Sequence, residues 1–199
     1  MTGSPTKVDW SGEVLAAQPR IRLTRSFDQS SHTYLGYTLR VHGWLADETR
    51  DFVVALGKAA QEKHQFRVGD RISGKGEFVL DPRVETAEVY KVSALKLFVR
   101  NSCASEPPPF HGVPPRLEVY RERGHRRLAA KTFATRCDTC MWGCDMAVEM
   151  IIDHWNPSML RHRRETFCYG PKSCRFYAAG PTRCPPPPIP IRSSSSPSS

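Results

Sequence analysis

Residues 34–45, YLGYTLRVHGWL, alternate between apolar and polar side chains. Successive side chains of a strand point to opposite faces, so this alternation predicts a half-buried β-strand. The apolar face carries Leu35, Tyr37, Leu39, Val41 and Leu45. The opposite face carries Tyr34, Thr38, Arg40, His42 and Trp44. The strand therefore has one face for a core and one face of aromatic rings and positive charge.

The neighbouring segments predict the rest of a small β domain spanning residues 10–100. A strand is expected at Arg20–Arg25, before the alternating segment, and another at Asp51–Leu56, after it. Good helix formers follow in residues 57–64, giving a short helix. A turn at residues 68–70 then leads into two more strands, residues 71–78 and 90–99. The expected order is three strands, a helix and two strands.

That order, the length of about 90 residues and the segment VGDRISG at residues 68–74 resemble the OB-fold, a five-stranded barrel with its helix between strands three and four. Other small barrels share such a turn and remain an alternative. The resemblance implies binding of single-stranded nucleic acid across strands two and three, where rings stack on bases and cations meet phosphates. The implied contacts are Arg22, Tyr34, Arg40, His42, Trp44 and Lys75. The alternative is that these are ordinary packing partners and solvated charges.

Proline and cysteine divide the remainder of the 199 residues. Residues 101–116 form a Pro-rich linker that cannot sustain a helix or a central strand. Residues 117–183 form a Cys-rich module that holds five of the seven cysteines. Residues 184–199 are a Pro/Ser tail with too little to bury, so we expect disorder there.

The five cysteines are spaced Cys137-x2-Cys140-x3-Cys144 and Cys168-x5-Cys174. Two short loops that each present two thiolates are the usual way to hold a structural zinc ion, so Cys137, Cys140, Cys168 and Cys174 are the candidate ligands. The pairs resemble those of a zinc ribbon, with strands expected at residues 132–136, 147–154 and 175–178. Cys144 is an alternate ligand, and His154 or His162 could replace a thiolate. An iron–sulfur cluster or a redox disulfide remain open alternatives.

Residues 123–128, 137–144 and 151–157 resemble segments of a bacterial protein family of unassigned activity. This resemblance extends over most of residues 10–180. It implies no reaction, substrate or partner.

The charge balance points to polyanionic partners. Twenty-nine Lys and Arg face 20 Asp and Glu, a net charge of +9. Residues 101–199 hold 14 basic and 8 acidic side chains and so supply +6 of it. Arg126 and Arg127 lie in this half and are further candidates for phosphate contacts.

Other classes are less well supported by the sequence. No phosphate-binding glycine loop, nucleophile elbow or HExxH pair is present, so enzymatic activity has no support. No apolar stretch approaches the ~20 residues that cross a bilayer, and no secretory signal precedes the first strand, so we expect a cytoplasmic protein without membrane contact.

The sequence predicts a nucleic-acid-binding protein with a structural zinc site. The alternatives are a module that binds another protein and an iron–sulfur or redox protein.

Overall fold

The computed structural model describes residues 7–26, 29–102, 107–153 and 155–181, and the fold is mainly β. Its strands are Val8–Arg25 (β1), Ser30–Leu45 (β2), Glu48–Leu56 (β3), Arg71–Phe78 (β4), Val89–Val99 (β5), Arg126–Arg127 (β6), Gly143–Ile151 (β7) and Leu160–Cys168 (β8). Its helices are Lys58–His64 (α1), Leu117–Arg123 (α2) and Ala130–Thr132 (α3), the last continuing into a π-helical turn, Phe133–Cys137. The tail predicted to be disordered, residues 184–199, lies outside the described residues, as do Cys103, His154 and Cys184.

The first five strands close into a ring in the order β1-β2-β3-β5-β4, with β4 returning to β1. The pairings are antiparallel except for the contact between β3 and β5, which is parallel. Helix α1 lies between the third and fourth strands in sequence. The predicted order of three strands, a helix and two strands is therefore confirmed.

The inner face of the ring is filled by large apolar side chains. The Trp10 indole meets the Phe52 ring edge to face, with centroids 6.2 Å apart. Gly74 on β4 makes room for that indole, because a Cβ there would stand 2.6 Å from a Trp10 ring carbon. The predicted apolar side chains Tyr37, Leu39, Val41 and Leu45 are buried in this core.

Strand β1 is long enough to belong to two parts of the sheet. Residues 8–13 pair with β4 inside the ring, whereas residues 22–25 pair in parallel with β7. Strand β8 then pairs with β7, and β6 pairs with β8. The Cys-rich region is thus hydrogen-bonded to the ring through β1, and one hydrophobic core runs through both.

The region after residue 130 departs from the predicted strands in three places. Residues 132–136, expected to be a strand, belong to α3 and the π-helical turn. Residues 175–178 contain turns and no strand. The expected strand at residues 147–154 overlaps β7. Its antiparallel partner is β8, which the sequence analysis did not predict.

A bulge in β2 reverses the predicted direction of one side chain. Arg20 pairs with Gly36 but Ile21 pairs with Tyr34, so Leu35 is left without a partner on β1. Cross-strand partners share a face, and Ile21 is buried, so Tyr34 turns toward the core rather than the outer face of Arg40 and Trp44.

Candidate metal centre

Four cysteines that lie far apart in the sequence line one small cavity. Cys137 ends the π-helical turn and Cys140 follows three residues later, whereas Cys168 ends β8 and Cys174 lies in the turns beyond it. All four border a cavity of about 10 Å³. That volume is roughly what one water-sized sphere needs. With the side chains as they lie, the cavity therefore has room for about one water-sized sphere.

The ring positions the first cysteine loop through Gln18 of β1. The Gln18 Nε2 atom donates to the carbonyl oxygens of Cys137, Asp138 and Cys140, at 3.1, 3.2 and 2.9 Å. The Gln18 side chain is buried. Its amide thus adds a buried donor to three carbonyls of this turn, of which those of Cys137 and Cys140 also accept the backbone N–H groups of Cys140 and Gly143.

A second contact fixes the same loop to β2. The Arg40 Nη1 atom donates to Asp138 Oδ2 at 2.8 Å. Within the loop, the Cys140 N–H donates to the Cys137 carbonyl at 3.1 Å, closing a tight turn. Gln18 and Arg40 together hold the turn against the outer face of the ring.

The second cysteine loop is organised around Arg126 of β6. The Arg126 Nη2 atom donates to the carbonyl oxygens of Gly170 and Pro171, both at 3.0 Å, and lies 3.8 Å from the Cys168 sulfur. The Gly170 N–H donates to Cys168 Sγ at 3.3 Å. The guanidinium also stacks on the Tyr177 ring, 4.1 Å from its centroid. A cation and an amide N–H therefore both point at this sulfur.

The linker supplies the remaining side of the cavity. Pro108, Pro109 and Phe110 line it, and the Phe110 N–H donates to Cys140 Sγ at 3.4 Å. The Phe110 carbonyl accepts from the Met141 N–H at 2.8 Å. Hydrogen bonds of this kind to sulfur stabilise a thiolate, the form of cysteine that binds metals.

Burial and mutual proximity raise the thiol pKa values at this site. The pKa of Cys137 is raised to about 12, first by burial and then by the charges of Cys140, Cys168 and Cys174. Burial also raises the pKa of Cys140, although the Phe110 N–H acts in the opposite direction. The four sulfurs are close enough to influence one another, and without a cation the thiolate form is disfavoured.

The sulfurs surround the cavity without converging on a common point. Within the described residues, no three His, Cys, Asp or Glu side chains are grouped closely enough to hold a metal ion as they stand. The donor set suits zinc, because four thiolates and neighbouring N–H donors match its structural sites. Binding would require the side chains to close inward around the cavity.

Cys144 lies apart from this cavity. It is fully buried, and its Sγ–H donates to the Pro19 carbonyl at 3.3 Å. Burial raises its pKa strongly. Of the histidines proposed as replacement ligands, His162 pairs with Glu149 across β7 and β8, away from the cysteines, and His154 is outside the described residues.

The predicted nucleic-acid contacts on the first half of the chain are mostly engaged within the protein. Arg22 donates to the Val84 carbonyl, Tyr34 lies under the Arg121 guanidinium, and Arg40 bonds Asp138. His42 contacts Asp51 at 2.6 Å and Lys75 contacts Asp9 at 3.1 Å, although both side chains remain more than half exposed. Trp44 remains 44% exposed on the outer face of β2.

The remaining two predicted contacts, Arg126 and Arg127, are also engaged within the described structure. Arg126 serves the cysteine loop, and Arg127 pairs with Glu165. Thr38 and Arg40, on the face expected to be open, line a cavity of about 180 Å³ that Phe133 and Asp138 partly enclose. The cysteine loop thus covers part of the surface predicted to bind nucleic acid.

Gln18, Phe110 and the role of Arg126 toward the cysteine loop were not found by sequence reasoning. Gln18 contacts residues about 120 positions away, and no local pattern marks such an amide. A polar residue at a buried position of a strand is the only indication that its sequence offers.

Comparison of the chain with protein-family models, curated proteins and solved structures finds no match. Among the described residues, no helix has the length and apolar character needed to cross a membrane.

Proposed function

We propose that the protein binds one structural zinc ion through Cys137, Cys140, Cys168 and Cys174. The observation that carries this proposal is the single cavity lined by all four cysteines. The ligands come from two loops that the ring and β6 hold separately, so one ion between them would tie the C-terminal region to the ring. A single ion is the smaller of the candidate groups, so it needs less widening of this small cavity than an iron–sulfur cluster would.

A zinc ion at this place would act in folding rather than in a reaction. Four protein thiolates leave no open position for a substrate or water, which is the arrangement of structural sites. Such ions contribute free energy directly to folding.

We further propose that the ring is OB-like, since its strand order and helix position agree with that fold. Reduced thiols persist in a reducing compartment, which favours the cytoplasm.

Metal content of matched variants tests the zinc proposal. The full chain should contain one equivalent of zinc, and Cys168→Ala should lose it. Cys144→Ala is the matched control, because its thiol is buried at a separate position and bonds Pro19. If Cys168→Ala keeps its zinc, or if only Cys144→Ala loses it, the proposed ligands are the wrong cysteines.

Binding of single-stranded nucleic acid is a second proposed function, and the exposed indole of Trp44 favours it. Trp44 lies on β2, the strand that an OB-like barrel uses for stacking on bases. The neighbouring His42 is 59% exposed on the same face. The surface available for stacking is therefore narrower than the sequence predicts, and it is centred on these two rings.

Oligonucleotide binding tests this second function. Fluorescence anisotropy of an unpaired oligonucleotide should show binding that weakens as salt rises, because phosphate contacts release counterions. Trp44→Ala should weaken binding by ~1–3 kcal/mol. Trp155→Ala is the control, since Trp155 is an 82% exposed indole beyond the end of β7. Equal losses in both variants, or no binding at low salt, would refute the assignment and leave a protein partner as the alternative.

A further inference from the structure

Glu165 on β8 is a buried carboxylate surrounded by guanidinium groups. Its side chain is fully shielded from solvent. The Arg25 Nη1 atom lies 3.6 Å from Glu165 Oε1, Arg163 contacts the same oxygen, and Arg127 donates to Oε2. The three arginines come from β1, β8 and β6, so the sheet itself brings them together. We call Arg25, Arg127, Arg163 and Glu165 the arginine cluster.

The arginine cluster carries more positive than negative charge. Three guanidinium groups meet one carboxylate, which leaves two positive charges in excess among the described residues. The side chains of Arg25, Arg127 and Arg163 are 15%, 18% and 23% exposed, so water screens their charges only in part. Elsewhere in the structure Glu85, also buried, pairs with a single arginine, Arg20. The excess is therefore particular to the surroundings of Glu165.

Two histidines beside the cluster respond to this excess charge. The rings of His32 and His125 lie 4.2 Å apart between centroids. Burial lowers the pKa of His32 to about 4, with further contributions from His125 and Arg25. Burial also lowers the pKa of His125, and Arg25 and Arg127 add to the effect. The positive potential therefore extends past the ion pairs to these neutral rings.

Hydrogen-bonding capacity is also unused in and beside the cluster. In the described part of the chain, Arg163 Nε and His32 Nε2 are shielded from solvent and have no hydrogen-bond partner. Unused buried donors are uncommon because each costs free energy comparable to a lost hydrogen bond. An acceptor-rich anion would offer the missing charge, and it would offer an acceptor to Arg163 Nε once that side chain turns toward solvent.

We propose that the arginine cluster binds an oxyanion of the phosphate class beside Arg25, Arg127 and Arg163, whose side chains are partly exposed. Guanidinium groups bind phosphate oxygens in pairs of parallel hydrogen bonds, so three of them suit a tetrahedral dianion. The bound oxygens neutralise the two excess positive charges, and Glu165 keeps the three side chains in position. The phosphate is either inorganic or part of a nucleic-acid backbone. The site depends on neither the zinc ion nor the Trp44 surface.

Thermal unfolding of the full chain in sodium phosphate, against sodium chloride of equal ionic strength, tests the site. Phosphate at about 100-fold over its Kd is expected to raise Tm by roughly 5–10 °C. Arg163→Gln should remove most of this rise. It should still fold, because Arg25 and Arg127 remain paired with Glu165, and circular dichroism checks this. Arg164→Gln is the matched control, since the adjacent Arg164 pairs with Asp145 at 2.6 Å and not with Glu165.

Oligonucleotide binding separates the two sources of phosphate. If the site takes a nucleic-acid backbone, Arg163→Gln weakens oligonucleotide binding and inorganic phosphate competes with it. If the site takes free phosphate, the rise in Tm depends on Arg163 whereas oligonucleotide affinity does not. The proposal is overturned if neither effect depends on Arg163, or if Arg164→Gln has the same effect as Arg163→Gln.

Discussion

Replacing Gln18 tests how the ring holds the first cysteine loop. In Gln18→Leu the side chain becomes apolar at a similar size, and the donor to three backbone carbonyls is lost. The acceptors on Cys137 and Cys140 are buried, and the acceptor on Asp138 is partly buried. The Cys137 and Cys140 carbonyls would each keep one backbone partner, the N–H groups of Cys140 and Gly143, whereas the Asp138 carbonyl would lose the Gln18 donor.

The magnitude follows from these three contacts. A hydrogen bond contributes about 1 kcal/mol net, and a buried group left unpaired costs about 1–3 kcal/mol. One Nε2 group has two hydrogens, so the three contacts share them, and we expect a loss of about 2–4 kcal/mol. For a chain of this size that corresponds to a fall in Tm of roughly 5–15 °C.

The assay is urea unfolding followed by tryptophan fluorescence, since Trp142 lies two residues after the loop. Gln29→Leu is the control, because Gln29 is exposed and precedes β2. Gln18→Glu should be at least as destabilising, since its carboxylate oxygens would face the carbonyls and repel them. A Gln18→Leu free energy of unfolding within about 0.5 kcal/mol of the control would refute the role of this amide.

Two further predictions concern the ring. Gly36→Ala should lower the free energy of unfolding in urea by about 2–4 kcal/mol, because φ is +143° and the new Cβ would meet the Leu56 carbonyl oxygen at 2.2 Å. Gly57→Ala is the control, since the space around its Cβ is open, and it should cost under about 1 kcal/mol. Similar costs for the two variants would contradict the bulge geometry. Burial alone would raise the pKa of Glu85, but hydrogen bonds and charge from Arg20 outweigh it and lower the pKa below 4.5. The ionised Glu85 therefore adds stability above about pH 4.5, and this stability is lost as pH falls through its folded-state pKa. Glu85→Gln should accordingly be less stable than the unsubstituted protein at pH 7, and it should lose less stability on acidification. If Tm falls with decreasing pH in the same way in Glu85→Gln as in the unsubstituted protein, the result would count against the Arg20–Glu85 ion pair.

The ring was predictable from the sequence because its strands alternate in polarity. Tyr37, Leu39 and Val41 recur at every second position, which is the period that a strand imposes. The direction of Tyr34 was not predictable, because the bulge at Leu35 shifts the pairing by one residue and no alternation marks it.

The Cys-rich region was harder to predict for two physical reasons. Strand β8 has the sequence LRHRRETFC, in which the half-buried Arg163 and the buried Glu165 hide the two-residue period. Residues 132–136 were expected to be a strand, but here tertiary packing rather than local propensity sets the backbone. The spacing did identify four cysteines that the structure brings to one cavity. It could not reveal Gln18 or Arg126, whose contacts cross the sheet.

The central claim is a zinc ion held by four thiolates, and X-ray absorption at the zinc edge of the purified full chain tests it most directly. The account predicts one shell of four sulfur atoms at about 2.3 Å, unchanged in Cys144→Ala. A shell dominated by nitrogen or oxygen, or a chain that binds no zinc, would contradict it.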